Sequence, residues 1–159
     1  MKTCILLYDK VNLLSFASVY ELLNETKIPF KILALHGETY DEKGYKLLAN
    51  EAGESLLSYE QIIIPDGLGA LNLRHDDIFI SWIKSSKNAK RKIALNLGNL
   101  LFGSAGFLKD KKACFKAGYF HAAKDYCEPC EDDFYIDDDI FSFRGNKKSL
   151  KELNKILVS

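Results

Sequence analysis

Lys92-Ile93-Ala94-Leu95-Asn96-Leu97-Gly98-Asn99-Leu100-Leu101 runs from a short apolar strand straight into a helix, with one polar residue, Asn96, at the corner. The helical stretch extends from Leu97 to Ala105, and Gly106 follows in the position a helix C-cap prefers. Upstream, Gln61-Ile62-Ile63-Ile64-Pro65 reads as a buried strand that empties into the glycine-bearing loop Asp66-Gly67-Leu68-Gly69. Between the two strands, Ile78, Phe79, Trp82 and Ile83 give a helix its inner face. The same alternation continues toward the amino terminus. Ile5–Tyr8 and Phe30–Leu35 are strands, and between them Leu13, Phe16, Ala17, Tyr20 and Leu23 form one stripe of a helix that Asn12 can cap. Alternating strands and helices predict an α/β domain, a parallel sheet covered by helices on both faces. Ligands of such sheets sit at the carboxyl ends of strands, so the loops after Tyr8, Ile64 and Leu95 are the ones to inspect.

The remaining third is less regular. His36-Gly37-Glu38-Thr39 turns the chain before a small extra strand at Tyr45–Leu48. Ala113-Cys114-Phe115 and Phe134-Tyr135-Ile136 are short strand candidates, and Ile140–Phe143 pairs with the latter. Ser149 and Glu152 read as a capping box before the apolar positions Leu150, Leu153, Ile156 and Leu157. With 159 residues and no repeat or linker, residues 1–159 read as a single domain.

Composition narrows the class. Lys plus Arg number 22 and Asp plus Glu 22, which argues against a protein built to coat nucleic acid or an anionic membrane. A five-residue apolar run stopped by Asp9 and Lys10 is too short for a secretory signal or a membrane span. The expectation is a cytoplasmic protein whose cysteines (Cys4, Cys114, Cys127, Cys130) stay reduced. Charge is nonetheless segregated: nine bases and one acid lie between Lys84 and Lys116, seven acids and no base between Cys127 and Asp139. That pattern reads either as a polarised partner surface or, with more weight, as solvated turns and helix ends.

Several motifs together resemble the ThiJ/PfpI superfamily. Ile62–Leu73 is similar to the family's strand followed by Pro-Gly-Gly-x-Gly-Ala-x-Asn-Leu. Ile93–Leu101 is similar to its nucleophile elbow, Ile-Ala-x-Cys-x-Gly. Ser104–Ala113 resembles an Ala-Gly-Leu-Leu-x-Gly-Arg-Arg-Ala stretch, and Asp138–Gly145 a late Asp-Gly-x-Ile-x-Thr-Ser-Arg-Gly hairpin. The resemblance spans about residues 3–158 and explains the Asp66–Gly69 loop better than a dinucleotide fingerprint does, since the third glycine is missing.

The family's chemistry rests on an elbow cysteine whose thiolate sits at a helix amino terminus, faced by a carboxylic acid and, in many members, a histidine. The matching positions here are Asn96, Ser15 and Lys116. All three departures remove the same chemistry, so the resemblance implies a catalytically silent member with a degenerate elbow site. Ser15, Gly67, Asn96, Leu97 and Gly98 are the candidate binding residues for a small polar or anionic ligand, the two glycines leaving room for it to approach backbone N–H groups. A water-filled remnant of a site, with Asn96 only a helix cap, is the plain alternative. A hydrolase, hydratase or glyoxalase-like lyase recruiting Ser15, Lys116 or Cys114 is the second functional reading. A stress-linked chaperone-like role is the third. The resemblance also implies a flavodoxin-like fold, a parallel sheet sandwiched by helices, and a homodimer; no cofactor is expected.

Cys127-Glu128-Pro129-Cys130 is a Cys-x-x-Cys in an acidic loop. It reads as a redox pair or as a weak zinc candidate with His121, to which Cys114 or a second chain could add the fourth ligand, an ordinary surface loop being the plain alternative. Cys114 and Cys4 read as core cysteines, and His36 and His75 as surface-turn residues.

Overall fold

The computed structural model describes residues 1–159. Five strands, β1 (Thr3–Leu7), β2 (Phe30–Ala34), β6 (Gln61–Ile64), β7 (Arg91–Leu95) and β11 (Ile140–Phe143), run parallel. With β5 (Glu51–Ala52) and β10 (Phe134–Asp137) at the edges they form a seven-stranded sheet in the order β10-β11-β7-β6-β1-β2-β5. Only β10 is antiparallel, because a two-residue turn at Asp138-Asp139 joins it directly to β11. The remaining strands form two small pairs, the hairpin β3 (Glu38–Tyr40)/β4 (Lys46–Leu48) and the parallel pair β8 (Lys112–Cys114)/β9 (Glu128–Cys130).

Period-two alternation sends successive side chains to opposite faces and so builds two cores. Ile5, Ile63, Ile93 and Leu95 point to one face, where helices α1 (Leu13–Glu25) and α6 (Lys147–Val158) cover them with Val19, Leu23, Leu153 and Leu157. Cys4, Leu6, Ile62, Ile64 and Ala94 point to the other. There they meet the short α2 (Ala70–Leu73), α3 (Asp77–Lys84), α4 (Asn99–Ser104) and α5 (Phe120–Ala123). The inner central strands are fully buried, as a two-sided parallel sheet requires.

Four local readings are corrected. Asn146, not the Ser149/Glu152 box, caps α6: its side chain accepts from the Ser149 amide, while Ser149 Oγ turns back to accept from Gly145 N and donate to Asn146 O. Glu38 and Thr39 belong to strand β3 rather than to the turn, because the hairpin needs partners for Lys46–Leu48. Asn96–Gly98 forms a 3₁₀ turn ahead of α4, so the helix proper starts at Asn99, two residues later than its apolar pattern suggests. Residues 128–130 of the Cys-x-x-Cys are a strand, paired with β8, and not a loop.

The segregated charge also has an internal explanation. Hairpin β10/β11 lies beside β7 and β8, so acids of the late segment meet bases of the earlier one: Lys92 with Asp139, and Lys111 with Asp137 at 3.4 Å. Lys92 is 2 % exposed, its ammonium also donating to the carbonyls of Lys87 and Ala89 at 3.2 Å and lying 4.9 Å from the Phe107 ring centre.

No helix is long and apolar enough to cross a membrane.

Candidate functional site at the strand-to-helix corner

The carboxyl ends of β1, β6 and β7 and the amino ends of α1 and α6 meet around Asn96. The residue adopts φ +43°, a left-handed conformation that asparagine tolerates better than most residues. Its side chain is buried and fully engaged. Asn96 Oδ1 accepts from the Lys116 amide at 2.9 Å, and Nδ2 lies 3.3 Å from both carboxylate oxygens of Asp66. Asp66 Oδ1 also accepts from the Leu97 amide at 3.2 Å, so this carboxyl group caps the turn that leads into α4. The Ser15 hydroxyl accepts from the Asp66 amide at 2.9 Å. The structure therefore brings Ser15, Asn96 and Lys116 together as expected, linked through a residue the sequence reading passed over, Asp66. The available signal was an aspartate standing where the Pro-Gly-Gly-like motif carries glycine, which puts a side chain where the motif has none.

Asp66 is held from behind. Tyr8 Oη donates to the Pro65 carbonyl, and the Asn12 amide donates to Asp66 O at 2.9 Å. From the far side Asn99 fixes the corner: its buried Nδ2 donates to Asn96 O (3.0 Å) and Cys114 O (3.3 Å), and its Oδ1 accepts from Ser142 Oγ (2.8 Å). Ser142 Oγ in turn accepts from the Cys114 amide at 2.7 Å. This buried network ties β7, β8 and β11 together and so sets where Lys116 begins.

The expectation that Gly67 and Gly98 leave room for a ligand is corrected. A Cβ on Gly67 would lie 2.7 Å from Val11 Cα and 2.8 Å from the Lys10 carbonyl. One on Gly98 would lie 2.7 Å from the Ile64 and Pro65 carbonyls. The space a side chain would take at these glycines is filled by the chain itself. Leu97 is corrected as well: its side chain is buried in the core and its amide already serves Asp66.

What remains open is a cleft of about 480 Å³ between the first turns of α1 and α6. Ser15 and Ser18 line one wall, Asn146 and Lys147 the other, with Asp66, Leu95 and Lys116 at its base. Neither Lys116 nor Lys147 is ion-paired.

Burial pushes the Asp66 carboxyl above the usual carboxylate range, outweighing the hydrogen bonds from Asn96 and Leu97 and the charge of Lys116. A raised acid contributes stability at low pH, below its unfolded value, and loses it as pH rises through the folded one. Asp66→Asn should therefore gain stability relative to wild type as pH climbs out of the ordinary carboxylate range. Urea unfolding of both proteins at pH 4 and pH 7 checks this, and a difference independent of pH would refute it.

The other candidates lie elsewhere. Cys4 and Cys114 are fully buried, and burial raises both thiols. Cys127 donates to the Ala123 carbonyl, His121 is exposed on α5, and no cluster of three or more His, Cys, Asp or Glu is arranged to hold a metal ion. His36 and His75 are both exposed.

An open, mostly parallel α/β sheet with a strained strand-to-helix corner at its carboxyl edge defines the class of fold. Neither a protein-family model nor a curated protein matches the chain. Solved structures do. A ThiJ/PfpI family protein from Pseudomonas syringae superposes with a TM-score of 0.86 at 17% identity, over 98% of this chain and 68% of that one. A ThiJ/PfpI domain protein from Brachyspira murdochii gives 0.79 at 11% identity, over 98% and 92%. DJ-1 from Schizosaccharomyces pombe gives 0.75 at 13%, over the whole of both chains. The fold is that of the ThiJ/PfpI and DJ-1 superfamily.

Proposed function

We propose that the chain is a catalytically silent protein of the ThiJ/PfpI type whose cleft binds a small polar or anionic molecule. The observation that carries this reading is the saturated corner. Where the resemblance expects a reactive sulfur stands a carboxamide with every polar atom engaged inside the protein, and the end of the α4 turn already holds the Asp66 carboxylate. Covalent thiol chemistry has no group at this corner to start it. The backbone amide at the corner is also closed to an outside anion, which moves binding into the adjoining cleft. There Lys116 and Lys147 supply unpaired cations, and Asn146, Ser15 and Ser18 supply neutral hydrogen-bonding groups.

Thermal shift with small carboxylates, aldehydes and inorganic phosphate tests the proposal. A ligand at about 100 times its Kd stabilises by about 2.7 kcal/mol, a rise of several degrees in Tm. Lys116→Ala and Lys147→Ala should each cut that rise. No shift with any of the three classes rejects binding.

Asp66 favours a second reading, an enzyme of hydrolase, hydratase or glyoxalase-like type that moves a proton through this raised carboxyl group. Consumption of glyoxal or methylglyoxal by the wild type, abolished in Asp66→Asn, would establish it and end the silent reading. A homodimer and a cytoplasmic setting complete the proposal, the former read directly by light scattering.

A further inference from the structure

Cys114 and Cys130 face each other in register across the β8/β9 pair, with their sulfurs 3.6 Å apart. Sequence spacing groups Cys130 with Cys127. The fold regroups it, because residues 128–130 form a strand against β8 while the Cys127 thiol turns away to the Ala123 carbonyl. We propose that Cys114 and Cys130 are a dithiol site that closes reversibly to a disulfide under a peroxide oxidant.

The geometry allows closure without moving the backbone. Adjacent strands lie about 4.8 Å apart, within the roughly 4.4–6.8 Å Cα separation that disulfides span. Rotation about each Cα–Cβ bond then brings the sulfurs together. The two thiols also divide the work, since Cys114 is fully buried and Cys130 half-buried. The Cys130 sulfur, as thiolate, attacks one peroxide oxygen. The O–O bond breaks, giving a sulfenic acid and hydroxide, which takes up the proton Cys130 lost. Cys114 sulfur then attacks Cys130 sulfur, the S–O bond breaks, and the departing hydroxide leaves as water with the Cys114 proton. Two thiols and one hydrogen peroxide become one disulfide and two waters, and a small dithiol reductant reverses the change. The bridge would clamp the end of β8 two residues before Lys116, whose amide holds Asn96.

Peroxide treatment of the full chain, alkylation of the remaining thiols and peptide mapping test this. Wild type and Cys127→Ser should each lose two thiols and yield a Cys114–Cys130 linked peptide that a reductant releases. Oxidation should raise Tm by about 5 °C, the loop being closed in the unfolded chain as well. Cys130→Ser, at a half-buried position, should give no link to Cys114 and no Tm rise on oxidation. A Cys127–Cys130 bridge, a bridge between chains, sulfinic acid without a bridge, or four free thiols after treatment would each overturn the proposal.

Discussion

Asn96→Cys alone is expected to yield a sluggish thiol, and adding Asp66→Gly to raise its reactivity at least ~10-fold. The Asn96 side chain lies 3.3 Å from both oxygens of the Asp66 carboxyl group, so a sulfur placed there meets a developing negative charge. Like charges at that range raise the thiol pKa, and one unit costs a factor of ~10 in thiolate at neutral pH. The Leu97 amide, which would otherwise favour a thiolate, is spent on Asp66 Oδ1. Removing the Asp66 side chain lifts the repulsion and frees the amide together. Rates of reaction with an aromatic disulfide reagent between pH 6 and 9 measure both variants, and Asp66→Asn separates charge from occupancy. Equal rates in the single and double variants would show that Asp66 does not control the corner. Under the proposed silent reading, the absence of a sulfur at Asn96 is then only half of the account, because the Asp66 carboxyl group would also hold down a thiol placed there.

Asp139→Ala is expected to destabilise the fold by about 3 kcal/mol, the range seen when one partner of a buried ion pair is removed. Lys92 keeps its ammonium inside the protein, and Asp139 is the one charge that meets it. Without it, two backbone carbonyls and the face of Phe107 are left to hold the cation. Asp139 is itself about one-third exposed, which places the cost at the low end of that range. Lys92→Met/Asp139→Ala should recover part of the loss, because an apolar side chain of similar length leaves no buried charge behind. Chemical denaturation of the wild type and the two variants reads this directly. A loss below ~1 kcal/mol in Asp139→Ala would mean that water reaches Lys92.

Strand and helix order was legible because each central strand carries a run such as Ile62-Ile63-Ile64, and each helix an apolar stripe, both patterns fixed by local geometry. The corner was legible through the resemblance of Ile93–Leu101 to the family elbow; its left-handed backbone is particular to Asn96 among the asparagines at helix starts, since the capping asparagines Asn12 and Asn146 are extended. Boundaries were less so. Two hydroxyl and amide residues, Asn146 and Ser149, compete for the cap of α6, and only the packing of the preceding turn decides between them.

Residues 1–159 by themselves determined the layered architecture, which follows from periodicity, while the meeting of Ser15, Asn96 and Lys116 was implied by the motifs' resemblance to a known family. Tertiary structure alone decided that Asp66 fills the corner, that Gly67 and Gly98 are closed by the chain's own carbonyls, and that Cys130 pairs with Cys114 rather than Cys127. Those outcomes depend on distances between segments far apart in the chain. Such distances are set by how the helices and strands pack on one another, and no local pattern of residues encodes them.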